Sequence, residues 1–141
     1  MNETIPAQAL ERALAQYDRS TGGFFLERFL GCELSFDADV CVVGLEIEDF
    51  MLNSAGTLHG GVMAFVLDSA AGSLFKRAHG SGYTLETKVQ YLRTLQRGRA
   101  TSTARFLKQG RVVSFIEAVL SGPDGKPAAV ATSTWHTAQG T

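Results

Sequence analysis

Apolar and polar residues follow three different patterns along the chain, and each pattern predicts a kind of element. Near the N-terminus, Leu10, Leu14 and Tyr17 recur at the spacing of one helix face, with Pro6 near the start. We expect one amphipathic helix here, ended by the glycine pair at 22–23. We also expect the aromatic and aliphatic residues at 24–30 to form a cluster that covers one end of the core.

The middle of the chain has a strand region followed by a strongly apolar helix. Residues 32–47 have the composition of one or two strands, in which Gly44 marks a bulge. Residues 60–77 carry apolar side chains round the whole helical circumference, which predicts a helix buried on most sides. Lys76 and Arg77 suit the C-terminal dipole of that helix.

The remainder of the chain is rich in Thr, Val, Phe and Tyr, which is typical of strands. Four strands are predicted, at 83–92, 99–109, 111–120 and 127–137. Short turns join them, so successive strands must be antiparallel. The order of elements predicts an α+β fold in which a meander of strands wraps one central helix. One small sheet leaves a face exposed, so we expect dimerisation through a sheet edge or between helices.

Composition and charge narrow the class of protein. The 141 residues are 45% hydrophobic and 19% charged, which indicates one globular domain with a sizeable core. A net charge of −1 gives no reason to expect a nucleic-acid partner. No apolar run approaches the ~20 residues of a membrane span, and the acidic N-terminus lacks the apolar region of a secretory signal. We therefore expect a cytoplasmic protein that binds neither nucleic acid nor membrane.

Neither the cysteines nor the histidines have the spacing of a metal site. Cys32 and Cys41 stand outside any CxxC pair, so we interpret them as two reduced thiols of a cytosolic protein. His59, His79 and His136 form no HExxH or similar pattern. We expect no metal and no cofactor.

Asp68 is the anomalous residue of the apolar helix. It has no Lys or Arg three or four positions away, and burial of an unpaired carboxylate is costly enough to raise its pKa. One interpretation is that Asp68 faces a cleft and performs chemistry there. The other is that it lies on a solvated edge of the helix, or accepts hydrogen bonds from nearby backbone.

Gly60 and Gly61 open the same helix. Glycine lets a ligand approach the backbone, and the first N–H groups of a helix have no internal partner, so the pair can form an oxyanion site for an acyl carbonyl. Simple flexibility at the helix entry is the alternative. Asp68 lies eight residues beyond Gly60, ~12 Å along the helix axis, so one carbonyl cannot easily touch both. A neighbouring subunit could supply the second element, which makes a site shared across a dimer a natural consequence.

Several segments together resemble a known family. The match consists of NxxGTLHGG at 53–61, Leu-Asp at 67–68, TLE at 84–86, VxYLR at 89–93 and LKQGR at 107–111, where x is any residue. The chain resembles the hot-dog fold acyl-CoA thioesterases of the phenylacetate-degradation (PaaI-like) type, a family that includes thioesterase superfamily member 2. The resemblance covers roughly residues 28–137. It implies one hot-dog domain over 1–141, with a helix and aromatic cap at 1–31 and a core at 32–141.

The resemblance implies hydrolysis of acyl-CoA thioesters and a role for each matching residue. Asp68 matches the catalytic carboxylate, either a general base for water or a nucleophile. Gly60 matches the residue whose N–H polarises the thioester carbonyl. Asn53 matches a residue near that carbonyl or the water, and Thr84 one that holds water near the carboxylate. His59 shapes the loop, with proton transfer as the alternative. The alternatives for Asn53 and Thr84 are a local turn residue and a plain strand former.

The resemblance also suggests where the substrate binds and how the chain assembles. Gly61 lies beside the oxyanion position, and Arg93 and Arg111 are the preferred candidates for the CoA phosphates, with solvated strand edges as the alternative. In this family the Asp of one subunit faces the helix start of another. We expect a homodimer or a dimer-of-dimers tetramer with the active site at the subunit interface.

Two other functions remain open. A hot-dog hydratase or dehydratase uses a helix histidine with an acidic partner, and no histidine lies within the predicted helix at 60–77. A non-catalytic acyl-CoA or fatty-acyl binding module has no reason to keep Asp68 in an apolar wall. Aromatic and medium-chain acyl groups are both compatible with the sequence.

Overall fold

A computed structural model describes residues 1–18 and 24–138. Within these residues, two helices and two strands precede one long helix, and four strands follow it. The helices and strands are α1 (Thr4–Gln16), α2 (Phe25–Leu30), β1 (Glu33–Asp37), β2 (Val40–Ile47), α3 (Gly60–His79), β3 (Gly82–Tyr91), β4 (Gly98–Lys108), β5 (Val113–Ser121) and β6 (Pro127–Thr137). A 3-10 turn, Asp49–Met51, follows β2.

The strands form one antiparallel sheet in the order β1-β2-β4-β5-β6-β3, and α3 packs along one face of it. This confirms the predicted α+β architecture with a sheet around one long helix. The predicted meander of four strands is wrong in one respect, because β3 does not lie beside β4. The earlier strand β2 pairs with β4, so β3 lies at the far edge, where it pairs only with β6.

Helix α3 is buried on most sides, as predicted. Its inner face carries the fully buried Leu67 and Phe75, and Phe75 stacks on Trp135 of β6 with ring centroids 5.3 Å apart. Gly80 ends the helix with a φ of 81°, a conformation that glycine adopts without strain. The helix runs two residues further than the predicted 60–77, so that it includes His79.

The predicted apolar stripe of α1 is wrong. Leu10 and Leu14 are 44% and 59% exposed, whereas Ala9 and Ala13 are buried. The small alanine side chains let α1 approach α2 closely, which turns the leucines outward. The helix ends at Gln16, and the glycine pair predicted to end it lies outside the described residues.

The predicted aromatic cluster packs only partly on the core. Leu30 packs against it, whereas Phe24 and Leu26 are 53% and 41% exposed, so a cap over one end of the core stays a prediction. Phe24 lies 5.8 Å from Phe65 of α3 between ring centroids, and Phe29 lies 5.4 Å from Phe50. The cluster thereby joins α2 to the central helix and to the 3-10 turn after β2.

Gly44 marks no bulge, contrary to the sequence prediction, because β2 keeps its register with both neighbours. The guanidinium group of Arg99 occupies the space that a side chain at position 44 would need. Arg99 crosses the strand there and reaches Glu33, with an N–O distance of 2.9 Å. The irregular registers are instead in β3, between Thr84 and Glu86, and in β4 and β5.

Both cysteines are free thiols. Burial, helped by the negative charge of Glu27, raises the pKa of Cys32 to about 12 and that of Cys41 to about 11. Both therefore stay protonated at neutral pH and are poor nucleophiles. Within residues 1–18 and 24–138, no helix has the length and apolar content of a membrane span, and no His, Cys, Asp and Glu side chains group as metal ligands.

We expect Leu67→Ala to lower the free energy of unfolding by about 2–5 kcal/mol, because Leu67 is fully buried between α3 and the sheet. Leu10→Ala is the matched control and should cost less than about 0.5 kcal/mol, since this leucine is largely exposed. Urea denaturation measures both. Equal losses would contradict the assignment of the α3 inner face to the core.

Candidate active site

Asp68 lies on the one face of α3 that the sheet leaves uncovered. Its side chain is exposed in the single chain and lines a groove of about 660 Å³ between α3, α2 and β1. The Oγ1 atom of Thr84, on β3, lies 3.5 Å from Asp68 Oδ1, a long hydrogen bond. The structure therefore brings together two of the predicted site residues, the carboxylate and the hydroxyl beside it.

The pKa of Asp68 is raised above its ordinary value. Protein atoms on the flanks of the carboxylate desolvate it, and the hydrogen bond from Thr84 offsets only part of this effect. The carboxylate is consequently more basic than a free aspartate, although one side of it is open. This is the property that a general base or a carboxylate nucleophile needs near neutral pH.

The start of α3 is held by two side chains. The Gly61 N–H donates to His59 Nδ1 over 2.8 Å, and the Tyr91 hydroxyl donates to the Gly60 carbonyl over 2.9 Å. The peptide group between Gly60 and Gly61 is thus fixed at both ends, and we call this arrangement the peptide clamp. Hydrogen bonding by His59 in its own loop is the role predicted for it from the sequence.

The peptide clamp leaves the N–H of Gly60 without a partner among the described residues. This N–H stands at the positive end of the α3 dipole. A fixed, unpaired N–H at such a position is suited to stabilise negative charge on an oxygen atom.

A neighbouring side chain of the same chain restricts the space beside each glycine of the helix start. A Cβ atom on Gly60 would lie 3.3 Å from the Tyr91 ring, and one on Gly61 would lie 2.9 Å from His59 Nδ1. The glycines therefore make room for the peptide clamp as well as for a ligand. Tyr91 is the residue that sequence reasoning missed: it stood within the matching segment 89–93 but received no role.

Asn53 is engaged within its own loop. Its Oδ1 accepts from the amides of Ala55 and Thr57 at 3.0 and 3.2 Å, and its Nδ2 donates to Thr57 Oγ1 at 3.0 Å. This is the local turn interpretation left open by the sequence. Two further bonds tie the loop down, because the Leu58 N–H donates to the Leu95 carbonyl and the His59 N–H to that of Met51. Asn53 thus helps to place the start of α3, and direct contact with substrate stays a prediction.

The two predicted phosphate ligands lie apart from each other. Arg93 bonds to the Asp124 carboxylate and to the backbone carbonyls of Lys126 and Pro127, so it stabilises the β5–β6 turn. Arg111 is exposed in the β4–β5 turn. Ser114, just after this turn, contacts His79 at the C-terminal end of α3, with an Oγ–Nε2 distance of 3.3 Å.

The single chain does not bring all the candidate residues to one point. The rise of α3 puts Asp68 about 12 Å from Gly60, and the helix end beside the Arg111 turn about 28 Å from Gly60. Thr84 and Tyr91, however, both lie on β3 and contact α3 at Asp68 and Gly60 respectively. The outer edge of β3 has no partner strand among the described residues. Leu85 within β3 and Leu92 just after it are 54% and 58% exposed.

Comparison with known proteins identifies relatives of this chain. The family model of the thioesterase superfamily matches residues 55–129, which include Gly60, Asp68 and Thr84. The Pseudomonas aeruginosa protein PA1618, whose solved mutant is described as a thioesterase, is 32% identical over 127 residues, which cover 86% of this chain and 84% of that protein.

Solved structures give the same fold. A phenylacetic acid degradation-related protein of Ralstonia eutropha JMP134 is 29% identical with a TM-score of 0.73, over 79% of this chain and 88% of that one. The BH2602 protein of Bacillus halodurans, solved with CoA, has a TM-score of 0.84 at 22% identity, over 95% of this chain and 89% of that one. The chain therefore has the hot-dog fold of the thioesterases, as the sequence resemblance implied.

The raised pKa of Asp68 predicts a pH-dependent effect of Asp68→Asn on stability. A carboxyl group whose pKa is higher in the folded state favours folding when protonated, so the wild type loses stability as the pH rises through that pKa. Asp68→Asn should therefore raise the free energy of unfolding at neutral pH, and the gain should vanish below the ordinary pKa of aspartate.

Asp124→Asn is the matched control with the opposite sign. The hydrogen bond from Arg93 lowers the pKa of Asp124, so the stability contributed by this carboxylate is present at neutral pH and lost on acidification. Asp124→Asn should destabilise at neutral pH and have no effect in acid. Urea denaturation at several pH values checks both, and a loss of stability for Asp68→Asn at neutral pH would contradict the desolvation of Asp68.

Proposed function

The chain belongs to the thioesterase superfamily, and we propose that it hydrolyses acyl-CoA thioesters to a free acid and CoA at a site shared by two copies of the chain. Thioester hydrolysis is what the superfamily and its thioesterase relatives support. The CoA part of the proposal draws on the fold alone, since BH2602 shares the hot-dog architecture and was solved with CoA. The observation that carries the proposal is Asp68, a basic carboxylate open to a groove.

The proposed reaction uses Asp68 and the Gly60 N–H. Asp68 takes a proton from water, the resulting hydroxide adds to the thioester carbonyl, and the Gly60 N–H donates to the oxyanion that forms. The intermediate then collapses, its C–S bond breaks, and the CoA thiolate leaves with the proton from Asp68. In the alternative sequence, Asp68 adds to the carbonyl itself, the thiolate leaves, and water cleaves the mixed anhydride.

A two-fold pairing of β3 strands explains how both groups reach one carbonyl. Antiparallel pairing of β3 with the same strand of a second copy places the Thr84 end of one strand beside the Tyr91 end of the other. Thr84 marks the position of Asp68, and Tyr91 marks that of Gly60. Each Asp68 is thereby brought toward the Gly60 N–H of the other copy, which the 12 Å separation within one chain prevents. A homodimer is thus the smallest unit that this proposal requires.

The other candidate residues have supporting roles in the proposal. Thr84 orients water beside Asp68, and the peptide clamp through Gly61 and His59 keeps the Gly60 N–H aimed outward. Arg111, on an exposed turn, stays a candidate for a CoA phosphate. Arg93 is a weaker one, because its guanidinium group is already bonded in the β5–β6 turn.

The hydratase alternative requires a histidine in the helix, and the extension of α3 adds His79 as its last residue. That ring stacks on Phe75 at 4.7 Å and lies beside the fully buried Ser114, at the opposite end of α3 from Gly60. No acidic partner contacts it among the described residues. The structure therefore offers no specific observation in favour of a hydratase.

We expect Asp68→Asn to lower kcat for thiol release from acyl-CoA by about 10²–10⁴-fold, because the general base is lost. Binding of acyl-CoA, measured by calorimetry, should persist. Asp124→Asn removes a carboxylate remote from the helix start and should leave kcat unchanged. A broad acyl-CoA panel from which the wild type releases no thiol would overturn the proposed function.

A subunit-mixing experiment tests the shared site. Gly60→Val pushes a side chain into the Tyr91 ring and damages the helix start, whereas Asp68→Asn removes the carboxylate, and each variant alone should be nearly inactive. Co-expression in equal amounts should restore about a quarter of the wild-type activity, because half of the dimers are mixed and each mixed dimer has one intact site. Mixtures as inactive as the separate variants would show that each chain uses its own groups.

A further inference from the structure

The groove beside Asp68 continues along α3 past the proposed reaction site, and its residues suggest what it holds. We propose that this groove binds the acyl group of the substrate and selects acyl groups that end in a carboxylate. The inference rests on the proposed function, because it takes Asp68 as the point where the thioester carbonyl lies.

The groove is long enough for an extended acyl chain. Its floor is one face of α3 from Asp68 to Arg77, ten residues whose ends lie about 13 Å apart along the helix axis. Its volume of about 660 Å³ is within the range of small-molecule sites. The apolar part of the groove wall, which suits a methylene chain, is formed by Phe24, Leu34 and Phe36. An acyl group that starts at Asp68 therefore has room to reach the far end.

Positive charge collects along the groove. The lining includes Arg28, Lys76 and Arg77, and none of the three forms an ion pair among the described residues. The guanidinium carbon of Arg77 lies 4.3 Å from the centre of the Phe36 ring, which holds this cation against the groove wall. Lys76 and Arg77 are at the far end from Asp68, where the C-terminal dipole of α3 also accepts them.

Arg28 gives the most specific indication of an anion. Its Nε atom is buried and has no hydrogen-bond partner among the described residues, although burial of an unpaired donor is costly. A carboxylate accepts from a guanidinium group through two parallel bonds, and it would satisfy this donor once the Arg28 side chain turns its Nε toward the groove. Glu27 is the only carboxylate besides Asp68 among the groove residues, and it pairs with none of these cations. The cations therefore outnumber the acids and remain available.

The anion could in principle be a carboxylate on the acyl group or a phosphate of CoA. The phosphate nearest the thioester of CoA lies beyond the whole pantetheine arm, which is longer than the groove. A carboxylate at the end of a medium-length acyl chain, by contrast, reaches the far end from Asp68. The length of the groove thus favours dicarboxylic acyl thioesters.

The test compares suberyl-CoA with octanoyl-CoA, which differ only in that a carboxylate replaces the terminal methyl group. We expect the wild type to hydrolyse suberyl-CoA with a kcat/KM about tenfold or more above that for octanoyl-CoA. Arg28→Gln and Arg77→Gln should each reduce this preference by slowing suberyl-CoA alone. Lys126→Gln, which removes a charge from the exposed β5–β6 turn, is the control and should keep the preference.

Further arms separate the possible outcomes. The same preference should persist with N-acetylcysteamine thioesters, which lack the CoA phosphates. A wild type that prefers octanoyl-CoA, or variants that slow both CoA substrates equally and neither N-acetylcysteamine substrate, would overturn the inference. If no thioester is hydrolysed, the proposed function fails, and calorimetric binding of suberyl-CoA against octanoyl-CoA still decides the preference of the groove. Arg77→Gln decides alone if Arg28→Gln does not fold.

Discussion

The fixed rise of α3 is the constraint on which the rest of the site depends. A regular helix of this length keeps Asp68 and the Gly60 N–H about 12 Å apart, and tight packing on the sheet leaves the helix no freedom to bend them together. The two groups suited to catalysis, the Asp68 carboxylate and the Gly60 N–H, are therefore present in every chain but lie apart within it. Any reaction that needs both must obtain one of them from another molecule of the same protein.

The helix start shows how the fold prepares one of these groups. Three separate segments meet there: the loop organised by Asn53, the cap supplied by His59, and the end of β3 that carries Tyr91. Each uses ordinary hydrogen bonds, and together they fix both polar atoms of the Gly60–Gly61 peptide. The Gly60 N–H has no partner within the part of the chain that the structure describes. Fixing the donor during folding means that no reorganisation is needed when charge develops on a ligand.

The sequence was most informative where structure is local. The apolar circumference of α3 and the composition of the strands are local patterns, and both were predicted correctly. The position of β3 in the sheet was predicted incorrectly. It pairs with β6 instead of β4 because β2, from an earlier part of the chain, pairs with β4, and such long-range pairing leaves no local pattern in the sequence. The outward turn of Leu10 was also hidden, because it depends on how closely α1 can approach α2.

The candidate site divides in the same way. Asp68 and Gly60 were predicted as candidates because a carboxylate and a glycine pair are unusual in an apolar helix. Tyr91 was missed because its bond to Gly60 joins residues 31 positions apart, and nothing in the local pattern marks it. The bond of Arg93 to Asp124 was hidden for a similar reason, since the two residues are equally distant in sequence, and a role for Arg93 in phosphate binding stays a prediction.

The two edges of the sheet differ in a way that favours one mode of assembly. Edge strand β1 is short, and Glu33 and Asp37 place negative charge at both of its ends, features that discourage strand pairing. Edge strand β3 is twice as long as β1 and exposes Leu85. Its irregular register at Thr84 limits how far a regular ladder can extend. One open edge per chain allows a closed pair but no continuing sheet. The open edge is thus β3, the strand that contacts Asp68 through Thr84 and Gly60 through Tyr91. Pairing of two chains along β3 would therefore also complete the proposed site.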